Sequence, residues 1–182
     1  MTTATTLSNE RIVQRFQLYD VNRDNVIERA DLEAEAQRII DAFGESPDSP
    51  RGSALLEAYR ALWEFMAEKT GAGSTGSVNL DKFTTFTQQP ILGPGSAGFA
   101  RVLRPTVSAM VALVDTDGDG RVSPPEFTRW LNAIGVDRAS AEQAFQVLDV
   151  NRDGQLDTDE LVNAVREYHE GRLDVPLLGG IK

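Results

Sequence analysis

Two stretches of the chain, DVNRDNVIERAD at 20–31 and DVNRDGQLDTDE at 149–160, begin with the same five letters and carry an oxygen-bearing side chain at every second residue. Asp20, Asn22 and Asp24 answer to Asp149, Asn151 and Asp153. An α-helix does not place i, i+2 and i+4 on one face, and a strand would line the three groups up to repel one another. The pattern fits a loop curled around a positive charge. It also limits what the rest of the chain can be, because such a loop has to be held by what flanks it.

The flanks are helical. Ile12, Val13, Phe16 and Tyr19 recur at three-to-four spacing, as do Leu55, Leu56, Tyr59, Leu62, Trp63 and Met66. The same period runs through Val107, Val111 and Val114, through Phe127, Trp130, Leu131 and Ile134, and through Leu161, Val165 and Tyr168. Strand-like alternation is nearly absent. Breaker-rich stretches at 45–52, 71–76 and 90–98 separate the helices, the last being the best boundary between two halves. Four segments of twelve residues align: 20–31, 71–82, 115–126 and 149–160. Each has an apolar residue at its eighth position (Ile27, Val78, Val122, Leu156). The expected fold is all-α: four helix–loop–helix units packed as two pairs in one compact globule, residues 1–90 and 91–182.

Calcium takes six to eight oxygens, and a twelve-residue loop can supply them from positions 1, 3, 5 and 12, a backbone carbonyl at 7, and position 9 directly or through water. The third loop offers Asp115, Asp117, Asp119, the carbonyl of Arg121 and a closing Glu126, with Gly120 at the sharp turn and Ser123 at nine acting through water. The fourth offers Asp149, Asn151, Asp153, the carbonyl of Gln155, Asp157 at nine and Glu160, with Gly154 at the turn. The first offers Asp20, Asn22, Asp24, the carbonyl of Val26, Glu28 and Asp31. It departs twice: Asn25 stands at the glycine position, and Asp31 is one methylene shorter than glutamate. Fewer oxygens at the close favour magnesium relative to calcium there, and Glu28 is placed to compensate. The second loop has Gly71, Gly73, Thr75 and Lys82 where ligands belong, so it reads as a dead hand whose frame survives in Gly76 and Val78. Its role is to pair with the first loop, Ile27 against Val78, as Val122 pairs with Leu156.

These loops resemble the EF-hand family over most of the chain. A used first hand, a ruined second, used third and fourth hands, and the tail EYHEGRLDVPLLG resemble the calerythrin and sarcoplasmic calcium-binding protein group. That resemblance implies a compact calcium buffer or transporter. The loop starts lie 51, 44 and 34 residues apart, less even than in calmodulin-like chains.

Composition agrees. The net charge of −10 argues against nucleic acid and against anionic membrane surfaces. Twelve carboxylates at loop positions exceed that net charge, and three divalent ions would bring it to about −4, so the metal-free chain is expected to be loosened. There is no cysteine, and the single histidine, His169, reads as a solvated residue near a helix end. No nucleophile–base arrangement or phosphate loop points to an enzyme. Only Met66 and Met110 accompany Met1, too few for a methionine-rich sensor groove. The tail from Leu173 to Leu178 is apolar enough to cover a groove. Arginine outnumbers lysine fifteen to three, consistent with a bacterial, GC-rich source. The expectation is a cytoplasmic, monomeric calcium buffer holding about three ions. The alternative is a calcium sensor that acts on an unidentified protein target.

Overall fold

The computed structural model describes residues 4–95 and 98–177. Eight α-helices dominate it: α1 (Ala4–Tyr19), α2 (Arg29–Ala42), α3 (Pro50–Thr70), α4 (Leu80–Phe86), α5 (Arg104–Val114), α6 (Pro124–Ala133), α7 (Arg138–Leu148) and α8 (Thr158–His169). Two short strands, β1 (Val26–Ile27) and β2 (Val78–Asn79), complete the element order. The all-α, four-hand architecture expected from the periodicity is what folds.

Local chemistry sets the helix ends. Ser49 accepts a hydrogen bond from the Gly52 N–H at 3.0 Å and Pro50 opens α3, so the breaker-rich stretch at 45–52 ends in a helix start. Gly71 closes α3 in the left-handed conformation. The first residue of the second loop is therefore a helix cap. Gly76 does not adopt the left-handed turn found at the sixth position of the other three loops, and a Cβ there would meet the Ala72 carbonyl oxygen at 1.9 Å. The expectation that Gly76 keeps the loop's frame is thus corrected: the frame survives in Val78 alone.

The loops pair through their eighth residues. Ile27 faces Val78 in an antiparallel two-residue ladder, and Val122 and Leu156 exchange N–H···O bonds of 2.9 Å in both directions. All four side chains are 0 % exposed, so each ladder is also the floor of the core. Above it, Phe16 and Tyr19 meet Phe83, and Phe127 meets Trp130 and Phe145, in tilted or edge-on ring contacts.

One core runs through both halves. Helix α3 packs on α2 and α5, and α1 packs on α4 and α8. Between α4 and α5 the chain widens into two π-helical turns, Thr87–Ile91 and Phe99–Leu103. Pro90 lies inside the first, where its missing N–H breaks the regular ladder. The connection at 90–98, expected as a simple boundary, packs tightly at both its described ends; Ser96 and Ala97 fall outside the described residues.

Two expectations meet the structure near the C-terminus. His169 is not solvated: it is 7 % exposed, and its Nδ1 lies 2.8 Å from the Val165 carbonyl oxygen. Val162, Val165 and His169 share one helical face, which turns inward with α8. The tail does cover the core, with Val175 buried and Leu173 and Leu177 packed against it; Leu178 lies outside the described residues. Arg11 holds this tail by donating to the Tyr168 carbonyl and pairing with Asp174 at 3.3 Å.

A Cβ on Gly98 would lie 2.2 Å from the Pro90 carbonyl oxygen and within 3 Å of Phe65 and Ile91. Gly98→Ala is therefore expected to destabilise the protein by about 1–3 kcal/mol, measured as a lowered denaturant midpoint at unchanged m-value.

Candidate metal centres

Each loop begins where a helix ends. Asp20, Asp115 and Asp149 directly follow α1, α5 and α7, so a carboxylate sits against the negative end of a helix dipole. That placement is unfavourable unless something positive faces it. Backbone N–H groups do so in part. Asp115 accepts from Gly118 at 2.6 Å and Gly120 at 2.8 Å. Asp20 accepts from Asp24 and Asn25, and Asp149 from Asp153 and Gly154, all at 2.9–3.1 Å. The chain can curl this way because Asn25, Gly120 and Gly154 take positive φ of 69°, 79° and 83°. Asparagine does at the first loop what glycine does at the others.

The middle ligand positions repeat one motif. Asn22, Asp117 and Asn151 each accept from the N–H two residues on, at 2.8–3.2 Å, and Asp24, Asp119 and Asp153 do likewise at 2.8–3.1 Å. These Asx turns orient the oxygen comb before any ion is considered.

The twelfth position closes the loop and caps the next helix. Asp31, Glu126 and Glu160 accept from the N–H of Glu28, Ser123 and Asp157 at 2.9, 2.9 and 3.2 Å, so position nine is the N-cap and position twelve its capping-box partner. Ser123 and Asp157 are thus helix caps as well. The Ser123 hydroxyl donates to Glu126 at 2.8 Å, and Asp157 accepts from the Glu160 N–H at 2.8 Å. In the second loop Asn79 still caps α4 through the Lys82 N–H at 3.1 Å, but Lys82 brings no oxygen to close the loop.

The third loop is the most convergent. Asp115, Asp117 and Glu126 each bring an oxygen within 4.8 Å of the others, the one such acidic group among the described residues. Asp115 and Glu126 are buried there, and so are Asp20 and Asp31 in the first loop. Burial raises the Glu126 carboxyl, yet four hydrogen bonds from Ser123 and Thr116 outweigh it and hold the pKa at about 2. Asp117 responds the opposite way. The Asp119 N–H lowers it, but burial and the neighbouring charges of Asp119 and Glu126 raise it on balance. Glu126 held as an anion, beside Asp117 whose ionisation its acidic neighbours oppose, makes a site short of positive charge. Oxygen-only donors of this density fit calcium; Asp115, Asp117, Asp119, Glu126 and the Arg121 carbonyl would hold it.

Spacing could not reveal a contact between loops. The Arg121 guanidinium pairs with Asp153 at 2.7 Å, and the Gln155 amide donates to Asp119 at 2.9 Å. Seventh-position side chains thus reach the fifth-position carboxylates of the opposite loop. The Gln155 N–H and Arg121 together lower the Asp153 pKa.

Because Glu126 has a folded-state pKa below that of a free carboxyl, its contribution to stability is present above about pH 4.5 and lost as pH falls towards 2. In metal-free protein Glu126→Gln is expected to flatten that stretch of the stability–pH curve. In calcium titrations it is expected to weaken the third site by at least about tenfold while leaving the first unchanged.

The EF-hand family models match residues 12–34 and 112–131 ("EF hand") and 140–171 ("EF-hand domain"), segments that contain the first, third and fourth loops. Calerythrin from Saccharopolyspora erythraea is 40 % identical over 179 residues, 98 % of this chain and all of that protein. The sarcoplasmic calcium-binding protein β chain of Penaeus sp. is 29 % identical over 60 % of this chain and 58 % of its own. A Streptomyces coelicolor calcium-binding protein, whose structure is described as a basis for prokaryotic calcium-mediated regulation, superposes with a TM-score of 0.71 at 30 % identity, covering 90 % of this chain and 98 % of that one. These relatives are calcium-binding proteins and not enzymes. The oxygen combs, the paired loops and the full-length match to calerythrin place the chain in the calerythrin group of EF-hand calcium-binding proteins.

Proposed function

We propose that the protein is a calcium buffer of the bacterial cytoplasm, a monomer that takes up about three ions at its first, third and fourth loops. Hands one and two form the unit at 1–90, and hands three and four the unit at 91–182. The observation that carries this reading is the closed core. Among the described residues the exposed large apolar side chains are three valines, Val21, Val147 and Val150, with no exposed leucine, isoleucine, methionine or aromatic ring beside them. Aromatic and branched residues line the space between the hands, and the tail through Val175 and Leu177 lies over it. A molecule built this way gains order from its ions without exposing a docking face. At the first loop Asp31, one methylene shorter than Glu126 and Glu160, gives less as the closing residue, so magnesium competes best there.

A second reading is a sensor that acts on a protein target. The regulatory description of the 30 % identical Streptomyces coelicolor relative favours it.

Calorimetric titration is expected to show about three calcium ions per chain, with millimolar magnesium suppressing one. Asp31→Glu is expected to restore calcium preference at that one site. Hydrogen exchange separates the two readings: a buffer gains protection throughout α3 and α5 when calcium binds, whereas a sensor loses protection over a defined apolar surface. Fewer than two ions bound would contradict both.

A further inference from the structure

We propose that the hollow enclosed by α1, α3, α5 and α8 binds a two-ring amphipathic anion, an aromatic carboxylate or its like, with Arg15 as the counter-charge. Two adjoining hollows of about 80 and 120 Å³ share one wall, formed by Arg15, Tyr19, Leu103, Thr106, Val165 and His169. The first extends over Met66, Phe83 and Phe86, the second over Tyr59, Met110 and Trp130. An apolar cavity of roughly 150 Å³ accepts a benzene ring; neither hollow reaches that alone, but joined across the shared wall they exceed it, which suits a fused pair of rings lying across both.

The polar groups on that wall are unusual for a plain packing gap. Arg15 makes no ion pair among the described residues, and its guanidinium lies 5.4 Å from the Tyr19 ring centroid. The other charges bordering the second hollow cancel: Arg38 grips Glu35 through two hydrogen bonds of 2.8 Å. The cation left over is Arg15. Burial, with help from Arg15 and Arg11, lowers the His169 pKa to about 4, so the ring is neutral at pH 7. Because a carbonyl only accepts, Nδ1–H donates to Val165 and Nε2 keeps its lone pair. Burial raises the pKa of both Tyr19 and Tyr59, which leaves their phenols protonated. The wall therefore offers one positive charge, hydroxyl donors and one ring-nitrogen acceptor amid aromatic and branched side chains. A fatty chain would leave Arg15 and the His169 Nε2 unmet, and a cation would face Arg15.

The test is a titration of the calcium-loaded full chain with 2-naphthoate, followed by naphthoate fluorescence and by the His169 ring signals. Saturable one-to-one binding below ~1 mM is expected. Arg15→Gln should weaken naphthoate by about tenfold or more and leave neutral 2-methylnaphthalene unaffected. Thr106→Phe, which fills the shared wall, should abolish both. Calcium stoichiometry unchanged in each variant shows that it is folded and that the ion sites stand apart from this one; should Thr106→Phe fail that check, Leu103→Trp takes its place. No saturable binding, equal naphthoate affinity in Arg15→Gln, or binding only after the chain is shortened past Leu177 would each overturn the proposal. The last result would make the chain's own end the occupant.

Discussion

The structure depends on the carboxylate at the twelfth position of the first, third and fourth loops. Asp31, Glu126 and Glu160 are at once the third residue of the exiting helix, the partner of its N-cap, and the oxygen that closes the loop. A change in what that carboxylate binds is felt directly by the helix it caps. At Glu126 this is clearest, since Thr116 near the start of the loop and Ser123 near its end both donate to the same group. The loop is clasped end to end through one side chain.

The clasp exists in a field of negative charge. Position-one aspartates stand at helix C-termini, and the position-five aspartates of the third and fourth loops each meet a side chain of the other loop. The protein relieves part of this with backbone N–H groups, part with Arg121 and Gln155, and leaves the rest to a cation. Arg121 joins Asp153 across the ladder while its own carbonyl belongs to the third loop, so third and fourth loops are linked by charge as well as by Val122 and Leu156. The first loop has no such partner, because the second contributes Val78 and a capped helix but no carboxylate at its ligand positions.

Much of this was legible in the sequence because the constraints are local. Spacing of two with acidic and amide side chains specifies an Asx-turned loop, and an apolar eighth residue specifies the ladder. The capping role of positions nine and twelve was also within reach: S-x-x-E at Ser123–Glu126 is a capping box, and the same residues serve both the helix start and the ion loop. What stayed hidden depends on how elements meet. His169 looks like a polar residue at a helix end, and only the turn of α8 towards α1 buries it; its register with Val162 and Val165 was the available signal. Spacing assigns Arg121 and Gln155 only a backbone carbonyl each, and it is the pairing of the loops that brings their side chains to the opposite loop. Gly76 matched a loop consensus, but the left-handed cap at Gly71 had already changed the backbone's course.

The central claim is that acidic loops are completed by divalent ions and that the helices they cap depend on that completion. The most direct measurement is thermal unfolding followed by far-ultraviolet circular dichroism, with saturating calcium and then with excess chelator at the same pH and ionic strength. The account predicts a large fall in both helicity and melting temperature on chelation, reversed when calcium is restored. Unchanged helicity and an unchanged melting temperature without the ion would contradict it.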